Sequence, residues 1–248
     1  MEIEGCTAIV TGGNRGIGEG FVDELLAQGA LRVYVAARSL SNAQAAAARD
    51  PRLAAIELDV TDDAEVAAAA AACPDVNLVV NNAGAYGMTT LLSATDMSAM
   101  RTEVATNYLG MVAMVRAFAP ILKQNGGGAV VNVLSAGGIV AVPNMGGYSP
   151  SKFAARAASD CLRAELASQG TQVSALIVGS VDTRMAAHVT WVKKTSPRDI
   201  AKAGLVAVRH NIAEHDTDVH SVSVRAHLAR DPAGLARAMA NSLDPRAR

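Results

Sequence analysis

The sequence predicts an α/β protein with a doubly wound, Rossmann-like parallel sheet and helices on both faces, a three-layer α/β/α arrangement. Three observations predict this class. Short and almost continuously apolar runs, such as VNLVV at 76–80, are typical of parallel strands that are buried on both faces. Amphipathic or alanine-rich helical stretches alternate with these runs. A glycine-rich turn follows the first run and leads into the first helical stretch.

The predicted elements follow each other in regular order. Strands are predicted in CTAIV (6–10), LRVYVAA (31–37), LAAIELDV (53–60), VNLVV, GAVVNVL (128–134) and TQVSALIV (171–178). Helices are predicted in GEGFVDELLAQG (18–29), SNAQAAAARD (41–50), DDAEVAAAAAAC (62–73), near 96–123 and from about 149 to 168. The pattern is less regular after Val178, with helix candidates at 197–210 and 231–241 and a weak edge strand near 217–222. An open sheet is favoured, and a closed barrel is the alternative.

Composition indicates one soluble domain. The chain has 248 residues, half of them apolar and 18% charged, so we expect a single domain over 1–248, with an atypical region at about 179–248. The net charge of −1 argues against binding to nucleic acid or an anionic membrane. No apolar run approaches the length of a membrane span. The three cysteines lack metal-ligand or disulfide spacing, and we expect a cytoplasmic protein.

The first loop, AIVTGGNRGIGEGF at 8–21, places Gly12, Gly16 and Gly18 between a predicted strand and a predicted helix. Such glycines permit a tight turn and let the backbone approach a pyrophosphate beside the free N–H groups of the helix. Because the loop has the required strand-turn-helix setting, a dinucleotide site is favoured over a turn that is shaped only by packing.

Two arginines indicate which dinucleotide binds. About twenty residues past Gly18, where an NAD-binding chain carries an acid for the ribose hydroxyls, the sequence reads VYVAARS at 33–39 without a carboxylate. The guanidinium of Arg38, together with that of Arg15 in the glycine loop, suits a 2′-phosphate. We therefore predict NADP(H), the alternative being that both arginines are only exposed charges.

A tyrosine and a lysine, Tyr148 and Lys152, stand four residues apart at the start of a predicted helix, on one face. By itself this spacing is more typical of a packed ring beside a solvated ammonium. In combination with other motifs, the chain resembles the short-chain dehydrogenases/reductases from about residue 5 to 185. The motifs are TGGNRGIG at 11–18, LDV at 58–60, NNAG at 81–84, Asn107, Ser135 and Tyr148-x-x-x-Lys152.

The resemblance implies an oxidoreductase that reduces a ketone or aldehyde with NADPH, reversibly. The residues implied in cofactor binding are Thr11, Gly12, Asn14, Arg15, Gly16, Ile17, Gly18, Arg38, Asp59, Val60, Asn82, Ala83, Gly84, Tyr148, Lys152, Val181 and Thr183. Asp59 would accept a hydrogen bond from the adenine amino group, and Val60 would flank that ring. The segment around Val181 and Thr183 would hold the nicotinamide amide.

Four residues, Asn107, Ser135, Tyr148 and Lys152, match the family's catalytic tetrad. Tyr148 would donate a proton to the carbonyl oxygen, and Ser135 would orient that oxygen and stabilise its developing charge. Lys152 would lower the pKa of the phenol from its ordinary value near 10. Asn107 would hold a water that links Lys152 to solvent.

The predicted substrate is a hydrophobic carbonyl compound or alcohol. The apolar loop AGGIVAVPNMGG at 136–147, with Tyr86, Met185 and Trp191, would line its cleft. Val178 stands where the family usually has proline, which could loosen the segment that covers the nicotinamide. We interpret His215, His220 and His227 as surface residues rather than metal ligands.

Two other functions stay open. An NADP-sensing regulatory protein would share the fold and the nucleotide, and an epimerase or dehydratase would share the Tyr and Lys spacing. The second normally needs a larger C-terminal region than this chain has. A homodimer or a homotetramer is expected.

Overall fold

The computed structural model describes residues 1–190 and 192–243. Its strands are β1 (Thr7–Thr11), β2 (Arg32–Ala37), β3 (Leu53–Glu57), β4 (Leu78–Asn81), β5 (Gly128–Val133), β6 (Thr171–Ile177) and β7 (Glu214–Asp216). They form one parallel sheet in the order β3-β2-β1-β4-β5-β6-β7. Because β3 and β7 are unpaired edges within the described residues, the sheet is open and the barrel alternative is wrong.

Helices cover both faces of this sheet. They are α1 (Gly16–Ala27), α2 (Leu40–Ala47), α3 (Asp63–Ala72), α4 (Ser98–Val104), α5 (Met111–Gln124), α6 (Tyr148–Leu166), α7 (Pro197–Arg209), α8 (Val219–Arg230) and α9 (Pro232–Ala240). Phe21 and Leu25 of α1 and Leu205 of α7 are fully buried in one core cluster. Phe118 and Leu122 of α5 are fully buried in a second cluster, which α3 and α6 also join. Two cores on opposite faces confirm the predicted three-layer architecture.

The long helix predicted near 96–123 is interrupted. A π-helical segment, Ala105–Gly110, separates α4 from α5. A Cβ at Gly110 would lie 2.7 Å from Val60 Cγ2, so the backbone passes unusually close to the end of β3. Residues 98–124 together are long and apolar enough to meet the length and composition criteria for a membrane span, contrary to the prediction. Met114 and Phe118 of this stretch are fully buried in the core, and 33% of its apolar window is buried.

The C-terminal region differs from the prediction at one element. The edge strand lies at Glu214–Asp216, and 217–222 is not a strand because α8 already begins at Val219. Asp218 accepts a hydrogen bond from Ser221 N (3.0 Å), and Asp218 N donates to Ser221 Oγ (3.2 Å). This capping box starts a helix where the sequence analysis expected a weak strand. The predicted helices at 197–210 and 231–241 are confirmed as α7 and α9.

Candidate active site

The glycine loop forms a tight turn at the carboxyl end of β1. Gly12 has φ +63° and Gly16 has φ +58°, in the left-handed region that favours glycine. A Cβ at Gly18 would collide with the Gly12 carbonyl oxygen, and one at Gly16 would lie 3.4 Å from Thr183 Cγ2. No described side chain caps the N-terminus of α1. The free N–H groups of its first turn therefore remain available to a phosphate, and the loop fits a dinucleotide.

Three arginines gather near this loop. Burial lowers the pKa of Arg15, and the neighbouring charges of Arg184 and Arg38 lower it further. All three are exposed, and within residues 1–190 and 192–243 none forms a salt bridge. A cluster of like charges without salt-bridged acids is suited to a strongly anionic ligand. The sequence analysis did not identify Arg184. The only available signal was its position directly after Thr183.

The ends of β1 and β4 are joined by hydrogen bonds. Thr11 Oγ1 accepts from the backbone N–H groups of Asn82 and Ala83, both at 2.9 Å. Asn82 Nδ2 donates to the carbonyl oxygens of Thr11 (2.9 Å) and Gly12 (3.3 Å). A Cβ at Gly84 would lie 3.4 Å from Asn107 Oδ1. The structure thus places the NNAG stretch against the glycine loop, and the half-buried Asn14 and Ile17 belong to that loop.

The two predicted adenine-binding residues, Asp59 and Val60, already make contacts within the protein. Asp59 Oδ1 accepts hydrogen bonds from Thr61 N (2.9 Å) and Thr61 Oγ1 (2.8 Å). Val60 is buried in the core. Val181 is also buried and forms an isolated bridge with Thr195. Their contacts with a cofactor stay predictions, whereas Thr183 does approach the glycine loop through Gly16.

The predicted catalytic side chains meet beyond the carboxyl end of β5. Ser135 follows that strand, and its Oγ accepts a hydrogen bond from Gly137 N (3.0 Å), which caps a single 3₁₀ turn. Tyr148 is the first residue of α6, one turn before Lys152. The Lys152 ammonium donates to the Val133 carbonyl oxygen (2.8 Å) and lies 5.7 Å from the centre of the Tyr148 ring. Open α/β sheets bind their ligands at this edge.

Burial shifts the pKa values of both Tyr148 and Lys152. Burial raises the pKa of Tyr148 to about 12, although part of the residue's surface stays accessible and a hydrogen bond with Ser135 opposes the rise. Burial lowers the pKa of Lys152 to about 8. Burial is the largest cause of the rise in the Tyr148 pKa, and the charges of Tyr86 and Glu103 add to it. The lowering of this pKa by Lys152 beside a bound nicotinamide stays a prediction.

Asn107 lies in the π-helical segment and is 2% exposed. Its Oδ1 accepts from Ala85 N (2.8 Å), and its Nδ2 donates to Ala85 O and Ser151 Oγ, both at 3.0 Å. Both ends of the amide therefore bond to groups of the protein, and the binding of a water by Asn107 stays a prediction. Asn107 and Lys152 do line one small cavity with room for about one water molecule. The proton relay stays a prediction that rests on this cavity.

Aromatic rings lie beside the candidate proton donor. The Tyr86 ring is 5.1 Å from the Tyr148 ring and 5.9 Å from the His188 ring, centre to centre. Met185 is exposed at 43% in the segment after Thr183. Tyr86 thus lies where the sequence analysis expected a cleft. Trp191, the third residue of that prediction, lies outside the described residues.

The segment after β6 is held by a residue that the sequence analysis did not single out. Asp218 Oδ2 accepts a hydrogen bond from Gly179 N (2.7 Å), directly after Val178. The same carboxylate caps α8. Since Val178 is itself buried at 4% exposure, the segment is fixed without the proline that the family usually has. Within the described residues, His215, His220 and His227 join no group of three or more side chains that could hold a metal ion.

Comparisons with known proteins agree with this arrangement. A family model described as short chain dehydrogenase matches residues 6–193. A short chain dehydrogenase from Burkholderia cenocepacia J2315, solved in complex with NADP, is 38% identical and superimposes with a TM-score of 0.90 over 99% of this chain and 100% of that chain.

Two further similar proteins differ in what they are named for or were solved with: one is named for a polyol substrate and the other was solved with NAD. Galactitol 2-dehydrogenase (L-tagatose-forming) from Cereibacter sphaeroides is 34% identical over 225 residues, 83% of this chain and 88% of that protein. A short chain dehydrogenase/reductase from Burkholderia phymatum in complex with NAD is 22% identical and covers 94% of this chain and 95% of that chain, with a TM-score of 0.84. At that identity the second similarity shows the fold alone.

Proposed function

This chain belongs to the short-chain dehydrogenase family of oxidoreductases, and on that premise we propose that it reduces a ketone or aldehyde to an alcohol with NADPH, reversibly. One observation supports this proposal most strongly. Ser135, Tyr148 and Lys152 meet at the carboxyl end of β5 in the same sheet whose β1 ends in the glycine loop. A proton donor and a dinucleotide cradle therefore share one edge of the sheet.

The choice of NADP(H) over NAD(H) is supported by charge. Arg38 and Arg184 each lie within electrostatic reach of Arg15, and no described acid forms a salt bridge with any of the three. A 2′-phosphate adds negative charge that these guanidiniums would bind, whereas NAD lacks that group. The relative from Burkholderia cenocepacia was solved with NADP, which agrees with this choice.

The reaction needs little from the protein beyond placement and a proton. NADPH, when bound, supplies the hydride. Tyr148 gives its proton to the carbonyl oxygen as negative charge develops there, and Ser135 holds that oxygen. Because burial keeps the Tyr148 pKa at about 12, the phenol stays protonated at neutral pH, as reduction requires. Lys152 then supplies positive charge next to the phenolate that remains.

The substrate we propose is a small carbonyl compound with an apolar or aromatic part. This is supported by the Tyr86 ring, which lies beside Tyr148 and also contacts the His188 ring, and by the exposed Met185 in the segment after Thr183. The galactitol dehydrogenase relative is named for a polyol, but rings so close to the donor favour stacking over hydrogen bonding to many hydroxyls. We also propose that residues 1–248 form one domain, that 179–248 covers the site, and that the protein is a cytoplasmic homodimer or homotetramer.

The test is a screen of ketones and alcohols that follows the absorbance of the reduced cofactor, repeated with Tyr148→Phe. We expect this variant to lose nearly all turnover, by about 100-fold or more, because it removes the general acid. NADPH affinity should change little. Tyr108→Phe, on the π-helical segment, is the matched control and should remain active. If Tyr148→Phe keeps its turnover, Tyr148 is not the donor. If no substrate is turned over while NADPH binds tightly, a cofactor-sensing protein replaces the enzyme.

A further inference from the structure

A buried carboxyl group that the proposed reaction does not use lies one turn before Asn107. Glu103, near the end of α4, is only 1% exposed. Its Oε1 accepts a hydrogen bond from Gly87 N (2.7 Å). Its Oε2 is buried and has no hydrogen-bond partner among the described residues, and no described cation pairs with it. Such an arrangement is costly, because a carboxyl is being desolvated for one neutral hydrogen bond.

The carboxyl contacts the backbone next to both Tyr86 and Tyr148. Gly87, which Oε1 holds, directly follows Tyr86. Oε2 lies against Gly147, where an added Cβ would collide with it, and Gly147 directly precedes Tyr148. One carboxyl group thus touches the backbone beside both rings, whose centres are 5.1 Å apart.

Glu103 works together with Asn107 on the Tyr86 side. The two residues are four apart in sequence, so they lie on one face of the helical stretch. Asn107 bonds to both backbone groups of Ala85, and Glu103 bonds to the N–H of Gly87. In this way alternate residues of 85–87 are fastened to the helix, and the residue between them, Tyr86, carries the ring that meets Tyr148.

Glu103 also acts on Tyr148 through its charge. Burial raises the pKa of Glu103, and the Gly87 N–H opposes that rise. Ionised Glu103 and Tyr86 both raise the pKa of Tyr148, after the larger effect of burial. The other titratable groups that face this region are Lys152, one turn along α6, and His188, beyond the Tyr86 ring.

We propose that Glu103 is a positioning residue of the active site, which fastens the backbone beside Tyr86 and Tyr148 and controls how readily Tyr148 gives up its proton. This inference deepens the proposed function and rests on it. It predicts one effect when only the charge of Glu103 is removed. It predicts a second effect when the hydrogen bond from Gly87 N is removed as well.

The experiment compares Glu103→Gln with Glu103→Leu in the full-length protein. Glutamine keeps an acceptor for Gly87 N and removes the charge. We expect the midpoint of the Tyr148 titration to fall by about one pH unit, because an ionised carboxyl nearby no longer opposes the phenolate. The rising alkaline limb of kcat for alcohol oxidation should move by the same amount, with the KM for NADP unchanged.

Leucine also removes the acceptor for Gly87 N. We expect the same shift of the midpoint and, in addition, at least a tenfold lower kcat for reduction, because Tyr86 is no longer held. Glu103→Gln, which keeps the acceptor for Gly87 N, should retain the wild-type kcat for reduction. The matched control is Glu165→Gln, an exposed carboxyl on α6, which makes the same change in net charge and should leave the midpoint where it is.

The Tyr148 midpoint can be measured without turnover, as the phenolate absorbance that Tyr148→Phe lacks. If no substrate is ever reduced, the proposed function fails, and this titration still tests Glu103. Should Glu103→Leu fail to fold, Glu103→Gln decides alone. A midpoint for Glu103→Gln equal to those of the wild type and Glu165→Gln overturns the inference.

Discussion

Replacing Lys152 by methionine should make the protein more stable at neutral pH while abolishing its activity. Burial lowers the pKa of this lysine from 10.5 to about 8, and the residue is 5% exposed. At 1.36 kcal/mol per unit, the folded state loses about 3 kcal/mol by keeping the ammonium charged. Methionine has a similar length and avoids that cost. It also loses the hydrogen bond to the Val133 carbonyl oxygen, which is worth about 1 kcal/mol.

The sign of the effect depends on pH. Because the folded-state pKa is lowered, the unfolded chain binds more protons between about pH 8 and pH 10.5, and the stability of the wild type rises with pH through this window. Lys152→Met should therefore gain about 2 kcal/mol at pH 7. Above pH 10.5 it should be less stable than the wild type by about 1 kcal/mol.

Urea unfolding at several pH values measures this difference directly. Lys123→Met, at an exposed position on α5, is the control and should show no pH-dependent difference from the wild type. A Lys152→Met protein that is less stable than the wild type at pH 7, or whose difference from it does not change with pH, would refute the reasoning. It would mean that the ammonium is solvated or paired in the folded state.

Three further predictions concern the cofactor edge of the sheet. Thr11→Val leaves the N–H groups of Asn82 and Ala83 without their acceptor, so the free energy of unfolding should fall by about 2 kcal/mol in urea titrations; an unchanged value would mean that water replaces the hydroxyl. Arg184→Ala should weaken NADPH binding by about tenfold and NADH binding less, as measured by cofactor fluorescence, and Arg38→Asp should reverse the preference toward NADH. Equal losses for both cofactors would remove the 2′-phosphate from the role of these arginines.

Local sequence patterns predicted most of the fold. Continuous apolar runs, alternating with helical stretches, predicted all strands except the last. A strand that is buried on both faces needs apolar residues at almost every position, and this can be read from the sequence. The weak strand predicted at 217–222 is wrong. Asp218 and Ser221 form the capping box that starts α8 there.

The candidate site was predicted by residue type but not by environment. The motif spacing brought Ser135, Tyr148 and Lys152 to one edge, as expected. It did not show that the Asn107 amide is used by Ala85 and Ser151. Nor did it show that desolvation dominates the pKa of Tyr148, because burial of a side chain depends on every element packed around it.

By itself, the sequence determined the family, the order of most strands and helices and the glycine loop, and it predicts Tyr148 as the proton donor. These properties are encoded in the spacing of residue types along the chain, which can be read from the sequence. Only the tertiary structure decided which residues distant in the chain act together: Arg184 with Arg15, Asp218 with Gly179, and Glu103 with the backbone beside Tyr86 and Tyr148. Such pairs are brought together by folding. A single sequence contains no periodic pattern or motif that reveals contacts between residues so far apart in the chain.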